Sequence, residues 1–376
     1  MIFKNVGWSL GNDCPLHCKQ CYSKIVRNKG KNLNKTIINR VISQLLIINA
    51  QTVNLGGNEP IYTNGLNPKK SLLPYILKKL NENHLKVGIT TAGPTLIQLK
   101  KLFPGSIQYI NDVDISLDSP IKQEHDDNRG CNGVFDMAIE TIKICKEHHI
   151  PHSIIMCGMS WNFNEKNLNK MIDLCKKTHS NFRINPLKPT ESTHKQLVLS
   201  PEQFFEGLKI ILKRCELIDL SDPAWACSVN HKEVAGCPCG RNSFRIHSIT
   251  PEGKLPVSPC VYVHDFKYGD LLTQPIESII NSSRFQAFSF RRNHIKAISE
   301  CKNCSYLNIC QGGCAARAYL HNFIFNNKRT RSLLLPDPYC YKNYLNKSQT
   351  TAKTSRTENN LVHMGYLCTG IFKVIK

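Results

Sequence analysis

Trp8-Ser9-Leu10-Gly11-Asn12-Asp13-Cys14-Pro15-Leu16-His17-Cys18-Lys19-Gln20-Cys21-Tyr22 sets three cysteines within eight residues, at the spacing Cys14-x3-Cys18-x2-Cys21. The stretch follows a short β-like run from Val6 to Leu10, and Asn12, Asp13 and Pro15 are turn formers. Three thiolates on one loop can hold three irons of a cubic iron–sulfur cluster and leave the fourth iron open to a small molecule. Structural zinc needs a fourth ligand nearby to close its tetrahedron. A loop of reduced surface cysteines gives no reason for this spacing with an aromatic behind it.

Around this stretch the composition sets bounds. At 376 residues, with 41% hydrophobic and 20% charged residues, the chain is globular and has room for two domains. No apolar run approaches the ~20 residues of a membrane span. Met1-Ile2-Phe3-Lys4-Asn5 lacks the features of a signal peptide, so a cytoplasmic protein is expected. Without secretion, eighteen cysteines argue for metal ligation rather than disulfides. Cluster-bound thiolates offset part of the formal charge of +21, and a positive excess remains. That excess suits an acidic peptide or a nucleic acid. Lys- and Asn-rich solvated faces are the preferred account of it, and a nucleic-acid partner is not expected.

From 1 to about 200, strand patterns alternate with helical ones. Strands are expected at Val6–Leu10, Thr52–Leu55, Val87–Thr91, Val113–Leu117, Ser153–Met156 and Phe182–Asn185. Helices are expected near Thr36–Asn49, Leu72–Asn83, Thr95–Leu102, Val134–His148 and Glu165–Lys177. This is a parallel α/β architecture. Spacing alone does not separate an open sheet from a barrel. Gly56-Gly57-Asn58-Glu59-Pro60 directly follows the second strand; glycines permit close backbone approach to a ligand, and the carboxylate can receive an ammonium.

Together, the cysteine loop and the Gly56-Gly57-x-Glu59-Pro60 run resemble the signatures of the radical S-adenosylmethionine (radical SAM) enzymes. The resemblance implies a partial (β/α)6 TIM-like barrel with its reactive groups at the strand C-termini. It implies that Cys14, Cys18 and Cys21 hold a 4Fe–4S cluster whose open iron is chelated by SAM. One electron then cleaves SAM to a 5′-deoxyadenosyl radical, the chemistry belonging to the cofactor. By the same resemblance Tyr22 packs near the adenine, and Gly56, Gly57, Glu59 and Pro60 form the motif that binds the SAM amino group. The run Asp114-Ile115-Ser116-Leu117-Asp118-Ser119-Pro120, with His125-Asp126, Arg129-Gly130 and Gly133-x-Phe135, resembles the peptide-modifying branch. It implies SAM contacts at Ser116 and Asp118 and places Arg129 near the methionine carboxylate. Ser119 departs from the family's usual glycine. Asn162 is the expected adenosine contact. Cys145 and Cys175 read as core hydrophobes. Cys157, near the end of the fifth strand, is the candidate hydrogen donor, with core packing as the competing role.

Ser200-Pro201-Glu202-Gln203 starts a helix expected to reach about Leu217. Cysteines then crowd: Cys227, Cys237, Cys239, Cys260, Cys301, Cys304, Cys310, Cys314 and Cys340. Alone, Cys301-x2-Cys304-x5-Cys310-x3-Cys314 fits a zinc knuckle as well as an iron–sulfur site. With the opening trio, the field resembles the SPASM extension, which holds two auxiliary 4Fe–4S clusters. The resemblance implies an outer cluster on Cys301, Cys304, Cys310 and Cys340. It implies an inner one on Cys314, Cys260 and two of Cys227, Cys237 and Cys239. The expected organisation is a barrel core at 1–195, a bridging helix region at 196–225, the SPASM domain at 226–345, and a polar linker and tail at 346–376. The apolar end is expected to dock as a strand, and Cys368 has no assigned role.

Three reactions compete within this resemblance: modification of a ribosomally made peptide, formylglycine formation in a sulfatase, and small-molecule cofactor biosynthesis. Sulfatase maturases carry Asp after the cysteine equivalent to Cys260; here that position is Val261. A flavodoxin- or ferredoxin-type electron donor is implied. With no room before Cys14 for a peptide-recognition domain, a separate recognition protein is a possible partner. A zinc-containing nucleic-acid binder would explain the charge but not Gly56-Gly57-x-Glu59-Pro60.

Overall fold

Alternation within each strand divides core from lumen. In Thr52–Leu55, Val53 and Leu55 enter the hydrophobic core, while Asn54 and the following Gly56 border a cavity. The computed structural model describes residues 3–27, 29–229, 237–326, 332–344, 349–355 and 361–375. Its first six strands are β1 (Asn5–Trp8), β2 (Thr52–Leu55), β3 (Lys86–Thr91), β4 (Asp112–Ser116), β5 (His152–Gly158) and β6 (Asn181–Pro186). Each pairs in parallel with the next, for example Val6 opposite Val53 and Ile154 opposite Phe182. Their order in the sheet runs from first to sixth without reversal. A doubly wound sheet reverses at a switch point, so this order is that of a partial α/β barrel.

The connecting helices are α1 (Lys35–Ile47), α2 (Leu73–Glu82), α3 (Pro94–Leu102), α4 (Lys122–Arg129), α5 (Val134–Glu147) and α6 (Glu165–Thr178). Local chemistry sets their starts: the Asn34 and Asn164 side chains accept from Ile37 N and Asn167 N at 2.9 and 3.1 Å. Spacing sets their buried stripe, as with Ile38, Val41, Ile42 and Leu45 of α1. The short α4 is the one helix here that the sequence pattern did not announce. Its residues are mostly charged or polar, and no apolar stripe marks it.

Beyond the six strands the sheet continues on both sides with β7 (Cys215–Leu220), β8 (Ser243–Ile246), β9 (Val257–Ser258) and β10 (Gly370–Val374). The parallel β8 lies beside β1 with β9 antiparallel to it, and β10 is inserted antiparallel between β6 and β7. The helix α7 (Pro201–Leu212) has the expected capping box, Ser200 with Gln203. It ends at Leu212 rather than near Leu217, because Cys215–Leu220 takes up extended pairing with β10. The divisions expected at 195, 225 and 345 do not interrupt this sheet. The expected linker 346–360 lies partly outside the described residues; its described part, 349–355, is pinned to β7. There Leu217 N donates to Lys353 O at 2.8 Å and Ser355 N to Leu217 O at 2.9 Å.

The end of the segment 361–375 docks as a strand, Gly370–Val374, as expected, and the part before it enters the barrel. His363 Nδ1 lies 2.6 Å from Asp112 Oδ1, and the Tyr366 hydroxyl accepts from Arg245 Nη1 at 2.8 Å. A side chain at Gly7 would place its Cβ 1.6 Å from that hydroxyl, so β1 needs glycine there. No helix among the described residues is long and apolar enough to cross a membrane.

Candidate active site and thiol groups

The cysteine loop leaves β1 and is laced to the end of α4, with His17 N donating to Arg129 O at 3.0 Å and Lys19 N to Asn128 O at 2.9 Å. Cys14 and Cys18 are buried and Cys21 half-buried, and all three line a cavity of about 170 Å³. Burial pushes the Cys14 thiol up to about 12, with the nearby Glu59 carboxylate adding to the effect. Burial also raises Cys18, opposed by Arg129. Two guanidiniums touch the trio: Arg27 Nη2 is 3.0 Å from Cys21 Sγ, and Arg129 Nη1 is 3.8 Å from Cys18 Sγ. Three thiols with flanking cations suit a cluster of anionic thiolates with one open iron. Zinc would want a fourth donor; among the described residues no histidine lines the cavity, the other lining thiol, Cys157, belongs to β5, and the Glu59 and Asp118 carboxylates are engaged by protein donors.

Glu59 lies in the same wall, 5% exposed. Its Oε2 accepts from Thr91 Oγ1 at 2.6 Å and Thr95 Oγ1 at 2.8 Å, and its Oε1 from Ala92 N at 2.6 Å. Burial raises its pKa and these donors oppose the rise. A carboxylate offers about four acceptor positions, so roughly one remains for a ligand. Asp118 differs. Its Oδ2 accepts from Gln20 Nε2 at 2.7 Å, Asn128 Nδ2 at 2.9 Å and Arg129 Nη2 at 2.8 Å, and its Oδ1 from Cys157 N at 3.1 Å. Held by four protein donors, Asp118 fixes Arg129 and the end of β5. Arg129 itself borders the cavity, and its Nε is buried without a hydrogen-bond partner.

Tyr22, Gly57, Ser116 and Cys157 also line this cavity, while Gly56 borders a smaller one behind it. Pro60 is buried in the turn and does not line the cavity. Asn162 is fully buried outside the lining. Its Nδ2 donates to Asp118 O at 2.8 Å and Cys157 O at 2.9 Å, and its Oδ1 accepts from Met159 N at 2.7 Å. These bonds use it to staple β4 to β5.

Sequence reasoning missed several lining groups: Gln20, Arg27, Asn185, Lys188 and Tyr262. Tyr262 meets Tyr22 edge-on at 5.1 Å between ring centroids, and its hydroxyl accepts from Asn185 Nδ2. Lys188 Nζ sits 4.8 Å from the Tyr262 ring centroid and donates to Asn185 Oδ1 and Pro186 O at 3.2 Å and to Cys368 O at 3.5 Å. The position of Tyr262, two after Cys260, was a usable signal. Lys188 and Asn185 carry none beyond their place at the sixth strand's end.

The later cysteines divide into two groups. Cys237, Cys239, Cys260, Cys314 and Cys368 are buried together in one cluster. Cys301 has Cys310, Cys340 and Cys304 as electrostatic neighbours, and Cys227 is an electrostatic neighbour of Cys310. Cys227 thus stands with the outer set rather than the inner, and Cys368 joins the inner. The cysteine at 314 is positioned by Asp337, whose Oδ2 accepts from Cys314 N at 2.7 Å. Asp337 is itself held by Arg317, with Nε to Oδ1 and Nη2 to Oδ2 both 2.8 Å; Arg317 Nη1 also reaches Asp222 Oδ2 at 2.6 Å. Gly313, at φ +77°, lets the chain pass this close, since a Cβ there would stand 2.4 Å from Asp337 Oδ2.

Comparison with known proteins agrees with this geometry. Residues 8–175 match the Radical SAM superfamily, and residues 237–305 match SPASM, an iron–sulfur cluster-binding domain. The chain carries a radical SAM domain and, C-terminal to it, a SPASM domain. It is similar to the mycofactocin maturase MftC of Mycolicibacterium smegmatis, at 22% identity over 350 residues, covering 90% of this chain and 82% of that protein. It is also similar to the AdoMet-dependent heme synthase of Methanosarcina barkeri, at 23% identity over 364 residues, covering 89% and 95%. A solved structure of anSMEcpe with bound AdoMet and the Cp18Cys peptide shares the fold, with a TM-score of 0.63 and 17% identity over 90% of this chain and 94% of that one.

Proposed function

We propose that this enzyme modifies a ribosomally made peptide at the cavity bordered by Cys14, Cys18, Cys21 and Glu59. The observation that carries the reading is that the three thiols of one loop and a buried carboxylate with spare acceptor capacity open onto one space. Cys14, Cys18 and Cys21 would hold the 4Fe–4S cluster, which with SAM supplies a 5′-deoxyadenosyl radical able to remove hydrogen from a substrate. Glu59 offers its remaining position to the SAM ammonium, as a charge-assisted bond. Arg129, fixed by Asp118, presents its guanidinium to the methionine carboxylate. Tyr22 and Ser116 border the adenosine side, and Gly56-Gly57 leaves room for the backbone to approach. In the second field, Cys301, Cys304, Cys310 and Cys340 form the outer ligand set, and the inner one is drawn from Cys237, Cys239, Cys260 and Cys314.

Support for a peptide comes from the run Asp114 to Phe135 and from the maturase among the relatives. Val261, buried where a sulfatase maturase carries its base, argues against formylglycine formation. Cross-linking is favoured over epimerisation, because a second cluster field can accept the surplus electron. Cys157 is the hydrogen donor if the radical is instead quenched by hydrogen return. Burial, with Asp118 beside it, raises its pKa, so it stays a neutral thiol carrying a hydrogen atom. Similarity to a heme synthase over nearly that protein's whole length favours a second reading, a small-molecule substrate. The test is reconstituted enzyme with SAM, dithionite and a candidate precursor peptide. Loss of two hydrogens from the peptide supports cross-linking. Unchanged mass with solvent deuterium at an α-carbon means epimerisation. An unmodified peptide beside abundant 5′-deoxyadenosine points to the small molecule.

A further inference from the structure

A cubic cluster has four irons to ligate, and the inner group brings five thiols together. Four of them come from the SPASM region, whereas the fifth, Cys368, arrives on the segment that enters the barrel. The Sγ atoms of Cys237, Cys314 and Cys368 lie within 4.8 Å of one another, all three buried. No other trio of potential metal ligands among the described residues is so tight. Cys368 also contacts Cys239.

The backbone that presents Cys368 is held on both sides. Before it, Ser243 Oγ donates to Tyr366 O at 2.7 Å, and Arg245 Nη1 donates to the Tyr366 hydroxyl at 2.8 Å. After it, Ser221 N donates to Thr369 O at 2.9 Å, and Gly370 begins a strand paired on both edges. Its own carbonyl accepts from the buried Lys188 ammonium. A packing cysteine has no need of this convergence with four other thiols, and a ligand does. A cage fixed from independent elements holds a cluster at low reorganisation cost.

We propose that Cys368 is one of the four ligands of the inner iron–sulfur cluster, with three of Cys237, Cys239, Cys260 and Cys314 as the others, which makes the segment 361–375 part of that cluster's cage. The inference rests on the reading of the second field as two iron–sulfur clusters, and the experiment separates the two claims. The full chain carrying Cys14→Ala, Cys18→Ala and Cys21→Ala is reconstituted anaerobically and reduced with dithionite. About eight irons and two paramagnetic signals in this parent establish the auxiliary clusters; fewer than about four irons would remove that reading, and this inference with it.

Adding Cys368→Ser is then expected to shift the g values of one signal and leave the other in place. Mössbauer spectra should show one iron that has lost its thiolate environment. The retained outer signal reports that the chain has folded. Both signals and the Mössbauer parameters unchanged would overturn the proposal. Should serine prevent folding, isotopically enriched selenocysteine at 368, nearly isosteric with cysteine, is read by electron–nuclear double resonance. A strong selenium coupling to the reduced inner cluster supports ligation, and its absence refutes it.

Discussion

The loop trio and the inner thiol group use the same side chain for opposite ends. In the first, Cys14, Cys18 and Cys21 border an open cavity, with a carboxylate of spare capacity and two guanidiniums in the wall. In the second, five thiols are sealed among Val261, Phe266, Phe288 and Tyr319, and a buried Asp222–Arg317–Asp337 network holds Cys314 in place. Thiols beside a cavity leave room for a small ligand, whereas thiols packed among apolar side chains leave none.

The largest expected effect breaks the comparison outright. Replacing Cys14, Cys18 and Cys21 by Ala should abolish 5′-deoxyadenosine formation while removing only about a third of roughly twelve irons. Retained SAM cleavage in that variant would mean the open site lies elsewhere. Next comes the sealed site. Arg317→Met leaves Asp222 and Asp337 as buried carboxylates without their cation, a loss of about 3–5 kcal/mol. Denaturant unfolding should show that drop together with loss of inner-cluster iron, whereas an unchanged midpoint would make the network incidental.

Glu59→Gln tests the spare acceptor position. Removing the charge should weaken SAM binding by about 1.5–3 kcal/mol, roughly ten- to hundredfold, with iron content unaltered. Equilibrium dialysis decides; equal affinity would leave Glu59 a purely structural carboxylate.

The smallest effect concerns the segment that joins the two sites. Burial pulls His363 down, but the Asp112 and Asp114 carboxylates, 2.6 and 3.7 Å away, hold it above the ordinary imidazole value. Stability from such a group is complete below the unfolded value of about 6.5 and is lost as pH rises through the folded one. The difference in unfolding free energy between the wild type and His363→Gln should therefore shrink on the alkaline side. A difference that grows with pH would reverse the assigned charge.

Legibility in the sequence followed distance along the chain. The trio and the Gly56-Gly57-x-Glu59 turn could be read because their spacing is local. Six strands could be read because alternation is local too. Cys368 could not, since nothing near it has ligand spacing and its partners at 237 and 314 meet it only through the fold. For the same reason β7 was absorbed into the helix before it: its strand character depends on β10, which is distant in sequence. Asn162 follows a strand end, as a ligand contact would, but its amide bonds the backbone of Cys157 in β5, of Met159 just after it and of Asp118 just after β4.

The position of β10 also bears on how the molecule is made. β6, already paired with β5, gains its second neighbour, and β7 its strand partner, only once residues 370–374 have left the ribosome. Long-range pairing of this kind is slow, and edges left open while it is awaited are exposed to other chains. A nascent chain can thread β1 to β6 and expose its first thiol trio while the opposite rim still gapes. The trio at Cys14, Cys18 and Cys21 and the thiol at Cys368 would then take their places at different ages of the same polypeptide.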